Sequence, residues 1–129
     1  MNKYIRNFLI TLGLVVAIYG LFFADSWIKG NFHVITENEA YRSRQLDKKL
    51  LTHYVNKYGI KSIINLRGAE PGKDWYDDEM AVCSDYGIQH YDLDMAMHKE
   101  PTDEQIETLI GFFKTAPRPV FIHCLGGSD

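Results

Sequence analysis

Cysteine is scarce in this chain: Cys83 and Cys124 are the only two among 129 residues, too few for a disulfide scaffold. No C-x-x-C or H-x-x-x-H spacing occurs, so no metal site is expected. Positive charge is also sparse. After the first seven residues, 12 Lys and Arg stand against 17 Asp and Glu, a poor footprint for nucleic acid, which rewards clustered cations. No nucleic-acid partner is expected. The length admits one small globular domain plus an N-terminal segment of different character.

That segment is what the sequence has in excess. Phe8 to Ala24 reads FLITLGLVVAIYGLFFA, seventeen residues without a charge. As a helix rising about 1.5 Å per residue it spans roughly 25 Å, just enough to cross a bilayer. A secretory signal peptide is the main rival, but the apolar run exceeds the usual core of about 7–15 residues. Phe22 also occupies a position where cleavage before Asp25 would need a small residue. A buried core helix is the other rival, and a surface helix would show a polar stripe that this run lacks. Residues 1–7 then form a short cytoplasmic N-terminus, carrying Lys3 and Arg6, and residues 8–24 a single membrane anchor. Residues 25–35 read as connector and first strand. The remainder, 36–129, is expected on the extracytoplasmic (periplasmic) side.

After the anchor the pattern becomes rhythmic. Asn31–Ile35 and Ala40–Arg44 are short candidate strands. Asp47 caps a helix with Leu50, Leu51, Tyr54, Val55 and Tyr58 on one face, and Gly59 supplies its left-handed stop. KSIINL follows, a β-branched apolar run of strand length. A helix from about Asp74 to Tyr86, a stop at Gly87 and the strand IQHYDLD repeat the unit. Thr102 and Gln105 then form a capping box before Ile106, Leu109, Ile110 and Phe113 at helical spacing. Pro117 ends that helix, and PVFIHC is the last strand. Helices alternating with strands predict an α/β domain, a parallel-rich central sheet flanked by helices and preceded by one transmembrane helix.

Open sheets of this kind place ligands at the carboxyl ends of their strands. Arg67 follows KSIINL, Asp92 and Asp94 close IQHYDLD, and Cys124 closes PVFIH. An arginine, carboxylates and a thiol are thereby brought to one sheet edge. Attack on phosphorus needs a thiolate, which oriented backbone N–H groups and a positive helix start favour. Glycines let the backbone wrap close to a phosphate, and Gly126 and Gly127 suit such a cradle.

The closing run VFIHCLGGSD resembles the phosphate loop of the protein tyrosine phosphatase superfamily, H-C-x-x-G-x-x-R, at His123, Cys124 and Gly127. Together with AYRSRQ, GIKSIINLRG, YDLD and PTDEQ, it looks like the bacterial relatives of the atypical dual-specificity phosphatases over roughly residues 33–129. The resemblance implies cysteine-dependent phosphomonoester hydrolysis through a cysteinyl-phosphate at Cys124, without metal or cofactor. It implies phosphate binding by Leu125, Gly126, Gly127, Ser128 and Asp129, with Arg67 as a further contact, and His123 orienting the cysteine. An aspartate about thirty residues upstream should be the general acid. Asp92 lies 32 residues before Cys124 and Asp94 lies 30; Asp92 is favoured. Asp129 is a third candidate, because myotubularin-like relatives place an acid immediately before the loop arginine.

Each assignment has a plainer counterpart. Cys124 at the end of an apolar strand could be core, Asp92 and Asp94 the solvated side of a half-buried strand, and Arg67 a helix cap. Cys83 reads as a small buried residue, or else as a partner that shields Cys124 by disulfide in an oxidising compartment.

The arginine of the motif would be residue 130, beyond Asp129. The expectation is therefore a C-terminally truncated form with negligible turnover, leaving one face of PVFIHC without a covering helix. A non-catalytic membrane-tethered module that binds phosphorylated ligands or regulates a relative is the alternative. A rhodanese-like sulfurtransferase fits HCxxG and the upstream aspartates less well. The expected partners are a phosphorylated protein or small phosphoester and, through residues 8–24, the lipid membrane. Leu125 and Ser128 leave the loop without lysine, which disfavours highly charged inositol phosphates.

Overall fold

The computed structural model describes residues 1–95 and 99–127. Helix α1 runs Lys3–Ile28, is capped by Asn2, and is long and apolar enough to cross a membrane, with a mean hydropathy of 2.1 over its most apolar window. None of its residues is buried, which removes the reading of a core helix. Strands β1 (His33–Thr36) and β2 (Ala40–Ser43) form an antiparallel pair. Helix α2 (Lys48–Tyr58), strand β3 (Ser62–Asn65), helix α3 (Asp74–Tyr86), strand β4 (Gln89–Asp92), helix α4 (Asp103–Thr115) and strand β5 (Val120–His123) complete the domain.

Local signals account for these limits. The Asp47 side chain accepts from Leu50 N at 2.8 Å, and both arms of the Thr102–Gln105 capping box are made. Gly59 and Gly87 take the left-handed conformation that stops α2 and α3. The expected first strand, 31–35, is displaced, because Asn31 itself has a left-handed φ of 51° and belongs to the turn leaving α1.

The sheet order is β1-β2-β5-β3-β4, with β2, β5, β3 and β4 mutually parallel and β1 antiparallel at the edge. The expected α/β architecture with a parallel-rich sheet is the observed one. Two cores lie on opposite faces. One joins α2 and α3 to the sheet through Tyr41, Leu51, Val55, Ile63, Val82 and Phe121. The other joins α4 through Ile64, Leu66, Val120 and Cys124, with Leu109, Phe112 and Phe113 packed against them. Helix α4 thus covers β5 on that face, and the uncovered apolar stretch lies further out, at Val34 and Ile35 of β1.

Candidate active site

Strand β5 is central, and it delivers His123 and Cys124 to its carboxyl end between β2 and β3. Leu66 N donates to the His123 carbonyl at 2.9 Å, which carries the ladder to the strand's last residue. Beyond it the loop peptides turn. The Leu125 carbonyl accepts from Gln45 N at 3.2 Å and the Gly126 carbonyl from Asn31 Nδ2 at 3.1 Å, so both point away from the cysteine. The Gly127 N–H points the other way and donates to Cys124 Sγ at 2.9 Å. The loop's carbonyls are thus anchored by Gln45 and Asn31, while one N–H turns to the sulfur. Gly127 has φ +84°, and a Cβ there would stand 2.5 Å from Arg44 N and 2.7 Å from the Ser43 carbonyl carbon. Only glycine fits against β2 at this point. Ser128 and Asp129, the other expected loop contacts, lie outside the described residues.

His123 does not face the same way as Cys124. By strand alternation it projects to the α3 side, abreast of Asn65 on β3 and Asp92 on β4. There Glu79 of α3, 2 % exposed, is placed between two histidines. Its Oε2 lies 2.7 Å from His123 Nε2, at an angle short of a linear hydrogen bond, and its Oε1 lies 2.7 Å from His90 Nε2. Burial alone would raise the Glu79 carboxyl, but the contacts and charge of His123 and His90 outweigh it and bring it down to about 2. His123 Nδ1 is 3.4 Å from the Cys124 carbonyl. These contacts hold the ring of His123, the residue that precedes the cysteine loop.

Asp92 belongs to this same network. Its Oδ1 accepts from Asn65 Nδ2 at 2.8 Å and its Oδ2 from the Tyr76 hydroxyl at 2.8 Å, with His90 Nδ1 3.6 Å away. Burial and the hydrogen bond to Asp92 push the Tyr76 hydroxyl up to about 12, so it remains a donor. Asp94 stands elsewhere. It lines an exposed cavity of about 570 Å³ with Lys99, Thr102, Gln105, Leu66 and Ile122. A second cavity, about 550 Å³, opens over Cys124 between Arg42, Ser43 and Gly127, and it too is walled by Leu66 and Ile122. The two hollows are therefore neighbours across those two side chains.

Arg67 is drawn away from the cysteine. Its guanidinium stacks on Trp75, 3.9 Å from the ring centroid, and reaches Glu70 at 3.8 Å, so it neither caps a helix nor lines the Cys124 cavity. Cys83 and Cys124 are both free and sit in cores on opposite faces of the sheet. Burial, with the charges of Glu79 and Asp92, raises the Cys83 thiol to about 12. It is an inert core residue rather than a shielding partner. No cluster of His, Cys, Asp and Glu suited to a metal ion occurs among the described residues.

Glu79, Arg42, Asn31 and Asn65 were not among the expected site residues. Glu79 was detectable in principle, since it shares the Tyr76, Val82 and Cys83 face of α3 at spacings of three and four. A carboxylate on a buried face needs partners, and histidines on neighbouring strands supply them.

Comparison with solved structures places this architecture. A Neisseria meningitidis protein described as a candidate phosphatase matches with a TM-score of 0.57 and 19% identity, over 70% of this chain and 64% of its own. The core catalytic domain of the PP-IP phosphatase SIW14 from S. cerevisiae matches with a TM-score of 0.64 and 23% identity, over 77% of this chain and 58% of its own. A Shewanella putrefaciens DUF442 protein, also described as a candidate phosphatase, gives 0.54 and 19% identity, over 69% and 55%. The chain thus spans 55% to 64% of the length of these three. No family model matches the chain, and no curated protein matches it. The likeness establishes the fold, an α/β architecture shared with these phosphatase structures.

Proposed function

We propose that this phosphatase fold carries a cysteine-dependent phosphomonoesterase site of the tyrosine/dual-specificity type, tethered to a membrane by α1 with the domain, residues 36–129, on the extracytoplasmic side. The observation that carries the reading is the 2.9 Å hydrogen bond from Gly127 N–H to Cys124 Sγ, at the end of the central strand and under an open cavity. A backbone donor aimed at the sulfur favours the thiolate, the form that attacks phosphorus.

In the first step the Cys124 thiolate forms the S–P bond as the P–O ester bond breaks, and a carboxylic acid delivers its proton to the leaving oxygen. In the second, the carboxylate removes a proton from water, which attacks phosphorus and returns phosphate and the thiolate. Asp94 is the better candidate for that acid. Both oxygens of Asp92 are engaged by Asn65 and Tyr76 on the α3 side, whereas Asp94 borders the hollow adjoining Cys124. Gly126 and Gly127 with Leu125 form the phosphate cradle, and Ser128 and Asp129 would extend it. His123, held by Glu79, orients the cysteine.

The test is a polypeptide continued past Asp129 with an arginine at position 130. It should hydrolyse a generic aryl phosphate and lose that activity on Cys124→Ser; full activity in the variant overturns the assignment.

A further inference from the structure

The outer end of α1 does not stand clear of the domain but forms one wall of a groove whose other wall is the phosphate loop. Phe22, Phe23 and Trp27 on the helix face Leu125 and Gly126 on the loop across about 890 Å³, with Arg44 on its lining. Arg44 fixes the distance. Its Nη2 donates to the Trp27 carbonyl at 2.8 Å, its guanidinium lies 4.6 Å from the Trp27 ring centroid, and its backbone N–H donates to the Gly30 carbonyl at 3.0 Å. Asn31 closes the connection, donating from Nδ2 to the Gly126 carbonyl and receiving His33 at its Oδ1 at 2.8 Å. His33 lines both this groove and the cavity over Cys124, so the two hollows flank the loop and meet there.

Phe22 and Phe23 belong to the apolar run of α1 and are 68% and 69% exposed, at a depth where only lipid would cover them. Trp27 lies five residues on, about 7.5 Å higher along the helix, the level at which tryptophans settle at a bilayer interface. The groove therefore runs from the hydrocarbon edge to the loop, and its apolar wall is continuous with the membrane-spanning surface. Arg44 supplies a positive charge at the loop end.

We propose that the substrate is a membrane lipid bearing a terminal phosphomonoester, with its apolar part against Phe22 and Phe23 and its phosphate drawn to the Cys124 loop. This rests on the phosphatase reading above and narrows it from phosphoesters in general to one that shares the bilayer with α1. A soluble phosphopeptide would leave the aromatic wall without an occupant.

The test uses the chain continued through an arginine at position 130, in phosphatidylcholine vesicles, and reads the rate at which iodoacetamide alkylates Cys124. About 10 mol% phosphatidic acid should slow alkylation about tenfold, as expected for a site ~90% occupied. The same amount of phosphatidylglycerol, a phosphodiester of similar lipid character, should leave the rate within about twofold. Phe22→Ala with Phe23→Ala, which keeps the helix apolar, should abolish protection by phosphatidic acid while retaining protection by millimolar inorganic phosphate. Equal protection by phosphatidic acid and phosphatidylglycerol, or undiminished lipid protection in the double variant, overturns the lipid assignment alone. Failure of inorganic phosphate to protect Cys124 in any background overturns the phosphatase reading and this inference with it.

Discussion

The backbone N–H of Gly127 reaches Cys124 Sγ at 2.9 Å only because Gly127 itself is pressed against the end of β2, with no room for a Cβ beside Arg44 N. Gly127→Ala must therefore shift the loop or β2, in addition to holding a non-glycine residue at φ +84°. The expected loss of stability is about 2–3 kcal/mol. Gly59→Ala is the matched control: its φ is also positive, at 63°, but the space around it is open, and about 1 kcal/mol is expected. Urea midpoints of the chain in detergent micelles measure both. Equal losses would mean that the close approach at Gly127 does not constrain the loop.

The two thiols should behave differently in the folded chain. Cys83 is buried in the α2–α3 core with its thiol raised to about 12, so at pH 8 only about one molecule in ten thousand carries the thiolate there. Cys124 opens onto a cavity. Alkylation at pH 8 should label one thiol per native chain and none in Cys124→Ser, with a second appearing only in denaturant. Two labels on the native chain would contradict the placement of Cys83.

Glu79 gives the fold a particular acid sensitivity. Its carboxyl sits at about 2 in the folded chain, below the ordinary value near 4.5, because His123 and His90 outweigh the burial that would raise it. The contribution is present in full above the unfolded value and is lost as pH falls from about 4.5 through about 2. The denaturation midpoint should therefore drop across that window. Glu79→Gln should flatten the drop and lower stability at pH 7 by about 3 kcal/mol, the usual cost of leaving buried partners uncompensated. An unchanged acid limb in the variant would remove Glu79 as its cause.

The sequence disclosed the elements better than their facing. Asp47, Gly59, Gly87 and the Thr102–Gln105 box act within a few residues, so α2, α3 and α4 could be bounded by reading along the chain. The passage of β5 into a glycine turn at Cys124–Gly127 was also legible, since a strand running into such a turn is itself a local pattern. What could not be read was which helix covers which face. Alternation says that His123 and Cys124 point apart, but only the sheet order and the packing of α3 show that Asp92 joins His123 and Glu79 rather than the cysteine. Where the Arg67 side chain goes was hidden for a related reason. Trp75, eight residues away, captures its guanidinium, a contact between two side chains that no periodicity announces.

Asp92 and Asp94 can be separated by measuring stability and turnover in the same variants. Asp92→Asn keeps the shape but replaces a carboxylate that accepts from Asn65 and Tyr76, so it should cost about 1–3 kcal/mol of stability. Asp94 is exposed, and its side chain borders the hollow next to Cys124. Asp94→Asn should shift stability by no more than about 0.5 kcal/mol. In the polypeptide carrying the loop arginine, the same substitution should lower kcat on an alkyl phosphate by about 10²–10³-fold, the range for loss of a general acid. The loss should shrink for an aryl phosphate with an acidic leaving group, which needs no proton, and that contrast separates proton delivery from a mere shift of the loop. If Asp92→Asn shows the leaving-group dependence and Asp94→Asn does not, the network around Tyr76 must open during turnover, and Asp92 is the acid.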